Sequence, residues 1–246
     1  MRITKIAVAV VAAALLTAGC GSDDGGSDGG TKKKTDSAAN GAQQDDDGGA
    51  EGGTEGDAEF LAVEITEGQS EVVESNEDLK TPQPEPGSDA DFTEKVEHRL
   101  RETLLRQAKV NGETSAECPD GVTLKASATS ACTATYEGVE VPFEVTIKDD
   151  YEEGAFFIQY DAEAKKDLLL AKGVYDAWWK RHGENATGEV EQKLTCDEIP
   201  PVQAVDRGAD TGHRCQVWTK YGDTGEFSTF DVTTDSFGPQ FSPVGD

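Results

Sequence analysis

The side chains with the most chemistry to offer in this sequence are five cysteines, three histidines and one aromatic cluster. Cys118, Cys132, Cys196 and Cys215 form no C-x-x-C pair, which argues against a thiol oxidoreductase. Cys196, His213 and Cys215 could supply three zinc ligands. They lack the paired close spacings of zinc folds, so no metal is expected. His98 stands among Glu97, Arg99 and Arg101, the surroundings of a solvated helix face. His182 closes a predicted helix, where a cation complements the dipole. No His is bracketed by a Ser or Cys nucleophile, and the G-x-S-x-G, H-E-x-x-H and P-loop patterns are missing. Carboxylates abound, yet nothing marks out one pair for acid–base hydrolysis. Tyr175, Trp178 and Trp179 are the most interesting aromatics. Adjacent helical residues point about 100° apart, so the two indoles cannot both face one core centre. The expectation is a shared place in the core, with a candidate binding patch if one ring stacks on a sugar or peptide.

Charge narrows the partners. The net charge is −27. Residues 21–90 hold 19 acidic and 4 basic side chains, and residues 91–246 hold 30 and 16. Such a chain repels phosphate backbones and lacks the basic footprint of a nucleic-acid binder. Residues 21–90 contain almost no clusters of large apolar residues, which leaves about 156 residues (91–246) to build a core, enough for one ordinary domain or two small ones.

The N-terminus has the three parts of an export signal, residues 1–19. Arg2 and Lys5 precede Ile6–Leu16, an apolar run of 11 residues, and the small residues Ala18 and Gly19 lead to Cys20. A bilayer span needs roughly 20 apolar residues, so this reads as a removable leader. The run Leu16-Thr17-Ala18-Gly19-Cys20 resembles the lipobox of bacterial lipoproteins, although Thr17 stands where Leu is usual. That resemblance implies a diacylglyceryl and palmitate anchor on Cys20 and cleavage just before it. Two acyl chains hold stably where one is marginal. The protein would sit on the extracellular face of the cell membrane.

Residues 20–90 read as a disordered acidic tether rich in Gly, Asp and Glu, unable to bury enough apolar area to offset its ordering entropy. As a flexible coil it would span about 45–50 Å r.m.s.. Lys32-Lys33-Lys34 is a short basic patch near the anchor, Phe60–Ile65 is an apolar interruption read as unstructured, and Pro82, Pro84 and Pro86 stiffen the end.

Two units follow, residues 91–162 and 163–246, giving an α+β chain in which each unit is an amphipathic helix packed on a short antiparallel sheet. In the first, Asp91 and Glu94 make a capping box, and Phe92, Val96, Leu100, Leu104 and Ala108 recur every four residues. Strands are expected at 122–126, 131–136, 139–147 and 155–160, with Pro142 suggesting an edge. In the second, a helix from about 162 to 181 carries Leu168, Leu169, Ala171, Tyr175 and the tryptophans, with Gly183 as its cap. Strands are expected at 189–196, 214–221 and 227–233, separated by a turn-rich stretch through Pro200-Pro201 to Gly212. Asn185-Ala186-Thr187 matches a glycosylation sequon by chance.

Cys118-Pro119, Gly121, Cys132, Gly138 and the alternation of Val139–Ile147 resemble a small domain of unknown function found in actinobacterial surface lipoproteins and secreted proteins. The resemblance covers residues 92–160 and implies export, one helix on a small sheet, and a disulfide. It implies no activity. With Cys20 given to lipid, four cysteines allow three pairings, and the apparent repeat favours 118–132 and 196–215. An oxidising compartment makes bridges expected. The sequence thus points to a lipid-anchored extracellular protein, a non-enzymatic binding or envelope-organising module with no cofactor. Its expected partners are the membrane through its anchor and an envelope protein or wall polymer. The alternative is an enzyme acting on cell-wall polymers or peptides with acidic catalytic residues.

Overall fold

The computed structural model describes residues 59–184, 186, 188, 190–235 and 237–245. Cys20, the leader and the greater part of the tether lie outside the described residues. The described chain is α+β, with two helices, three antiparallel sheets and two disulfides. No described helix is long and apolar enough to cross a membrane.

Helix α1, Phe92–Ala108, starts where the capping box places it. The Asp91 carboxylate accepts from the Glu94 N–H at 2.9 Å, and Glu94 reaches back to the Asp91 N–H at 3.3 Å. The four-residue periodicity buries Val96, Leu100, Leu104, Leu105 and Ala108. The helix ends at Ala108, capped by Lys109 in the left-handed region at φ 52°. A four-stranded sheet packs beneath it in the order β2 (Thr114–Glu117), β3 (Thr129–Tyr136), β4 (Val139–Ile147), β5 (Tyr160–Ala164). Strand β4 matches the predicted alternation, burying Val141, Phe143, Val145 and Ile147.

Strand β4 pairs on both sides, so the edge assignment drawn from Pro142 is corrected. The Pro142 carbonyl accepts from the Lys165 N–H at 2.8 Å, beyond the last β4–β5 pair at Phe143 and Ala164. The missing proline donor therefore faces a place where β5 has already ended. Residues 122–126 and 155–159 are loops rather than strands, and β2, Thr-Ser-Ala-Glu, carries no apolar alternation to signal a strand.

The second helix, α2, is Ala171–His182, nine residues shorter at its start than the apolar pattern suggests. Its expected first turns are instead β5 and the strand β6, Lys166–Leu170. The misreading has a physical cause. Strand β6 is buried on both faces: Leu168 and Leu170 enter the core under α1, while Leu169 enters a second core under α2. A strand with two buried faces loses its alternation and cannot be told from a buried helix by period. It pairs with β8, Val202–Asp206, inside the stretch read as turns. Helix α2 packs on a five-stranded sheet ordered β1 (Val63–Glu64), β7 (Gln192–Cys196), β9 (Asp210–Tyr221), β10 (Thr224–Asp235), β11 (Gly238–Pro243).

Strand β1 moves the boundary of the folded part. Residues 59–90 belong to it rather than to a tether: Val63 lies opposite Cys196, Ile65 is 5% exposed, and Val72 bridges Val110. The apolar patch Phe60–Ile65 was too short to reveal this alone, because a two-residue edge pairing draws its stability from the sheet it joins. The His98 imidazole also holds this segment, with Nε2 3.0 Å from the Pro82 carbonyl, so His98 is not a solvated face residue.

Candidate functional site

Three cations gather at the C-terminal end of α1. Arg106 and Lys109 stand in its last turn and at its cap, positions that the helix dipole favours for positive charge. Arg207 comes from the turn after β8. They line a cleft of about 390 Å³ with Gln107, Asp167 and Phe237. Burial, and then the neighbouring Arg99, push the Arg106 guanidinium below its usual value, against a pull from Glu102. It stays charged, because a guanidinium is not deprotonated in proteins.

Asp167, at the start of β6, is the deepest polar group of the lining and has no exposed surface. Its Oδ1 accepts from Gln107 Nε2 at 2.9 Å and lies 3.4 Å from Arg207 Nε. Its Oδ2 is buried with no hydrogen-bond partner. Phe237, in the turn before β11, is 82% exposed and borders this cleft and a neighbouring one of about 160 Å³. Asp176 lies in the smaller cleft, where it accepts from the Gln69 N–H at 3.0 Å and pairs with Lys180 at 2.9 Å. No motif signals this cleft. Arg106 and Asp167 are 61 residues apart and Asp167 and Arg207 are 40, and only the packing of β6 on α1 and the pairing of β8 with β6 bring them together.

The residues singled out from sequence are placed differently. Trp178 has no exposed surface and packs on Phe230, Phe241 and His182 with ring centroids 5.2, 4.8 and 4.2 Å away, so it leaves the candidate binding patch. Tyr175 is half-buried, its hydroxyl donating to the Asp197 carbonyl and accepting from the Ile199 N–H, both at 3.1 Å. Its polar end is therefore consumed by the chain itself. Trp179 alone keeps an accessible edge, lining a cavity of about 330 Å³ with Ile65, His182 and Lys193. Gly183 is required there, since a Cβ would come 2.2 Å from the Trp179 ring.

His182 is not a dipole-complementing cation. Burial, and secondarily Arg181, lower its pKa, and its Nε2 is buried without a partner. His213 Nε2 lies 2.8 Å from Gln203 Nε2. Cys118 joins Cys132 and Cys196 joins Cys215, which removes the zinc reading of Cys196, His213 and Cys215. The N–H of Cys118 donates to Glu97 at 2.7 Å, tying the first bridge to α1. Asn185 and Thr187 of the sequon lie outside the described residues. Phe156 and Phe157, in the β4–β5 loop, are 92% and 80% exposed and meet edge to face.

A family described as Domain of unknown function (DUF4333) matches residues 85–151, the stretch holding α1, β2, β3, β4 and the first disulfide. The resemblance seen at Cys118-Pro119 and Cys132 thus has a counterpart in a domain of unknown function, and residues 152–246 lie outside the match. No curated protein and no solved structure matches the chain.

Proposed function

We propose that this chain is a lipid-anchored extracellular binding module whose ligand is anionic and sits in the cleft at the end of α1. The observation that carries the proposal is the gathering of Arg106, Lys109 and Arg207 around one cavity in a chain of net charge −27. Distant carboxylates do not cancel that field, because charges beyond about 8 Å are screened at physiological salt. Asp167 is the one acid among the lining residues, and Glu102 just outside it stands 3.9 Å from Arg106 and is shared with Arg99. No catalytic residue is assigned.

Placement outside the cytosol rests on the leader and the Leu16–Cys20 run, and two disulfides fit an oxidising compartment. The same reading takes residues 91–246 as two tandem units of an actinobacterial type, 91–162 and 163–246. In each, a helix precedes a four-stranded antiparallel order, β2-β3-β4-β5 or β7-β9-β10-β11, and one disulfide clamps the first strand to the second. A duplicated scaffold accounts for a cleft at the place where two cores meet along β6.

Two experiments test the reading. Isothermal titration of the full-length oxidised protein in detergent with inorganic phosphate should show binding that the double variant Arg106→Ala/Arg207→Ala loses. Identical heats from both proteins would end the binding assignment. Labelled palmitate should enter the wild-type chain in its host and not Cys20→Ala, and equal labelling would end the anchor.

A further inference from the structure

We infer that the cleft is built for a phosphate monoester of a polyol, with Asp167 reading a hydroxyl beside the phosphate. The inference rests on the anion-binding reading above and names its ligand. Three observations carry it.

The first is charge. Arg106, Lys109 and Arg207 outnumber Asp167 in the lining, which favours an anion, although Arg106 also faces Glu102 at 3.9 Å. A phosphate monoester carries between one and a half and two negative charges near neutral pH, and its oxygens fit the guanidinium fork. The second is availability. Arg207 spends its Nε on Asp167, and its Nη groups make no hydrogen bond among the described residues. Lys109 makes no ion pair within 4 Å among the described residues, while Arg106 lies 3.9 Å from Glu102. The third is Asp167 Oδ2, a fully buried acceptor in the cavity lining with no donor from the chain. A buried carboxylate oxygen without a donor is costly. A purely anionic ligand would add repulsion there, whereas one bearing an O–H next to its phosphate would satisfy it. Cations that hold the phosphate and an acceptor that reads the hydroxyl together describe a phosphorylated polyol, and about 390 Å³ is within the range of small-molecule sites.

The test compares glycerol 1-phosphate, ethyl phosphate, inorganic phosphate and malate, titrated into the full-length oxidised protein in detergent. Glycerol 1-phosphate should bind about tenfold more tightly than ethyl phosphate, the weight of one hydrogen bond to a charged acceptor. Asp167→Asn should erase that ratio while ethyl phosphate still binds. Because the ratio is taken within one protein, loss of folded material does not affect it. Arg207→Ala should weaken both esters. Equal affinity for the two esters in the wild type, or a ratio unchanged in Asp167→Asn, would overturn the hydroxyl assignment and leave the anion site standing. Tighter binding of malate than of glycerol 1-phosphate would overturn the phosphate assignment. If no anion binds, the anion-binding reading falls as well.

Discussion

Cys215 lies directly opposite Cys196 in the β7–β9 ladder, with Cα atoms 4.0 Å apart. The first bridge takes the same place in its own sheet. Cys118 follows Glu117, which pairs with Thr133, so Cys118 meets Cys132 at a Cα separation of 4.2 Å. Both bridges are thus cross-strand staples at the end of the first strand after a helix. Closing loops of this length contributes about 3 kcal/mol in the chain-entropy account. Cys196→Ser/Cys215→Ser should lower the free energy of unfolding by about that amount, measured by urea denaturation under oxidising conditions. An unchanged midpoint would show that the staple adds nothing the sheet does not already hold.

Trp178 and Trp179 should separate cleanly. Trp178 is sealed between α2 and the five-stranded sheet, so Trp178→Ala should cost about 3–5 kcal/mol. Trp179, with one edge accessible, should cost about 1 kcal/mol on the same change. Denaturant midpoints for the two variants decide it. Equal and small losses would show that Trp178 is not sealed in the core.

How much of this could be read from residues alone depends on how local the signal was. The Asp91–Glu94 box, the α1 stripe and the alternation of β4 are complete within a single element, and each appears where the sequence places it. The repeat favoured the two Cys pairings that the structure holds. Strand β6 was hidden because Leu168-Leu169-Leu170 serves two cores at once, and β1 because two residues of pairing carry no periodicity. The cleft was hidden for a different reason. Arg106, Asp167 and Arg207 have no motif relation to one another, and a site assembled across three separate elements leaves no spacing to find.

The placement of residues 59–73 makes a further claim open to measurement. Ile65 is buried against the second core, and its N–H donates to the Leu194 carbonyl at 2.8 Å. Ile65→Ala should destabilise the chain by about 2 kcal/mol or more. It should also speed amide exchange in β7, the strand that β1 covers. Exchange in β7 as slow as in the wild type, with stability unmoved, would return this segment to the tether.

The last prediction concerns pH and His182. Its imidazole stacks on Trp178 at a centroid distance of 4.2 Å and has Phe230 and Arg181 as neighbours. Burial first, and the Arg181 charge second, hold its folded pKa below the ordinary histidine value near 6.5. The unfolded chain then takes up a proton in a range where the folded chain refuses it, so the unfolded state binds more protons and stability rises with pH. The loss begins as pH drops below about 6.5 and continues down to the folded value, with no contribution from this group at higher pH. The chain holds two other histidines, His98 and His213, so the informative comparison is between wild type and His182→Gln. Urea midpoints measured from pH 7.5 to pH 5 should fall more steeply for the wild type than for the variant. Parallel profiles would mean that the His182 ring is as willing to charge in the fold as in water, and that its place against Trp178 leaves it open to solvent.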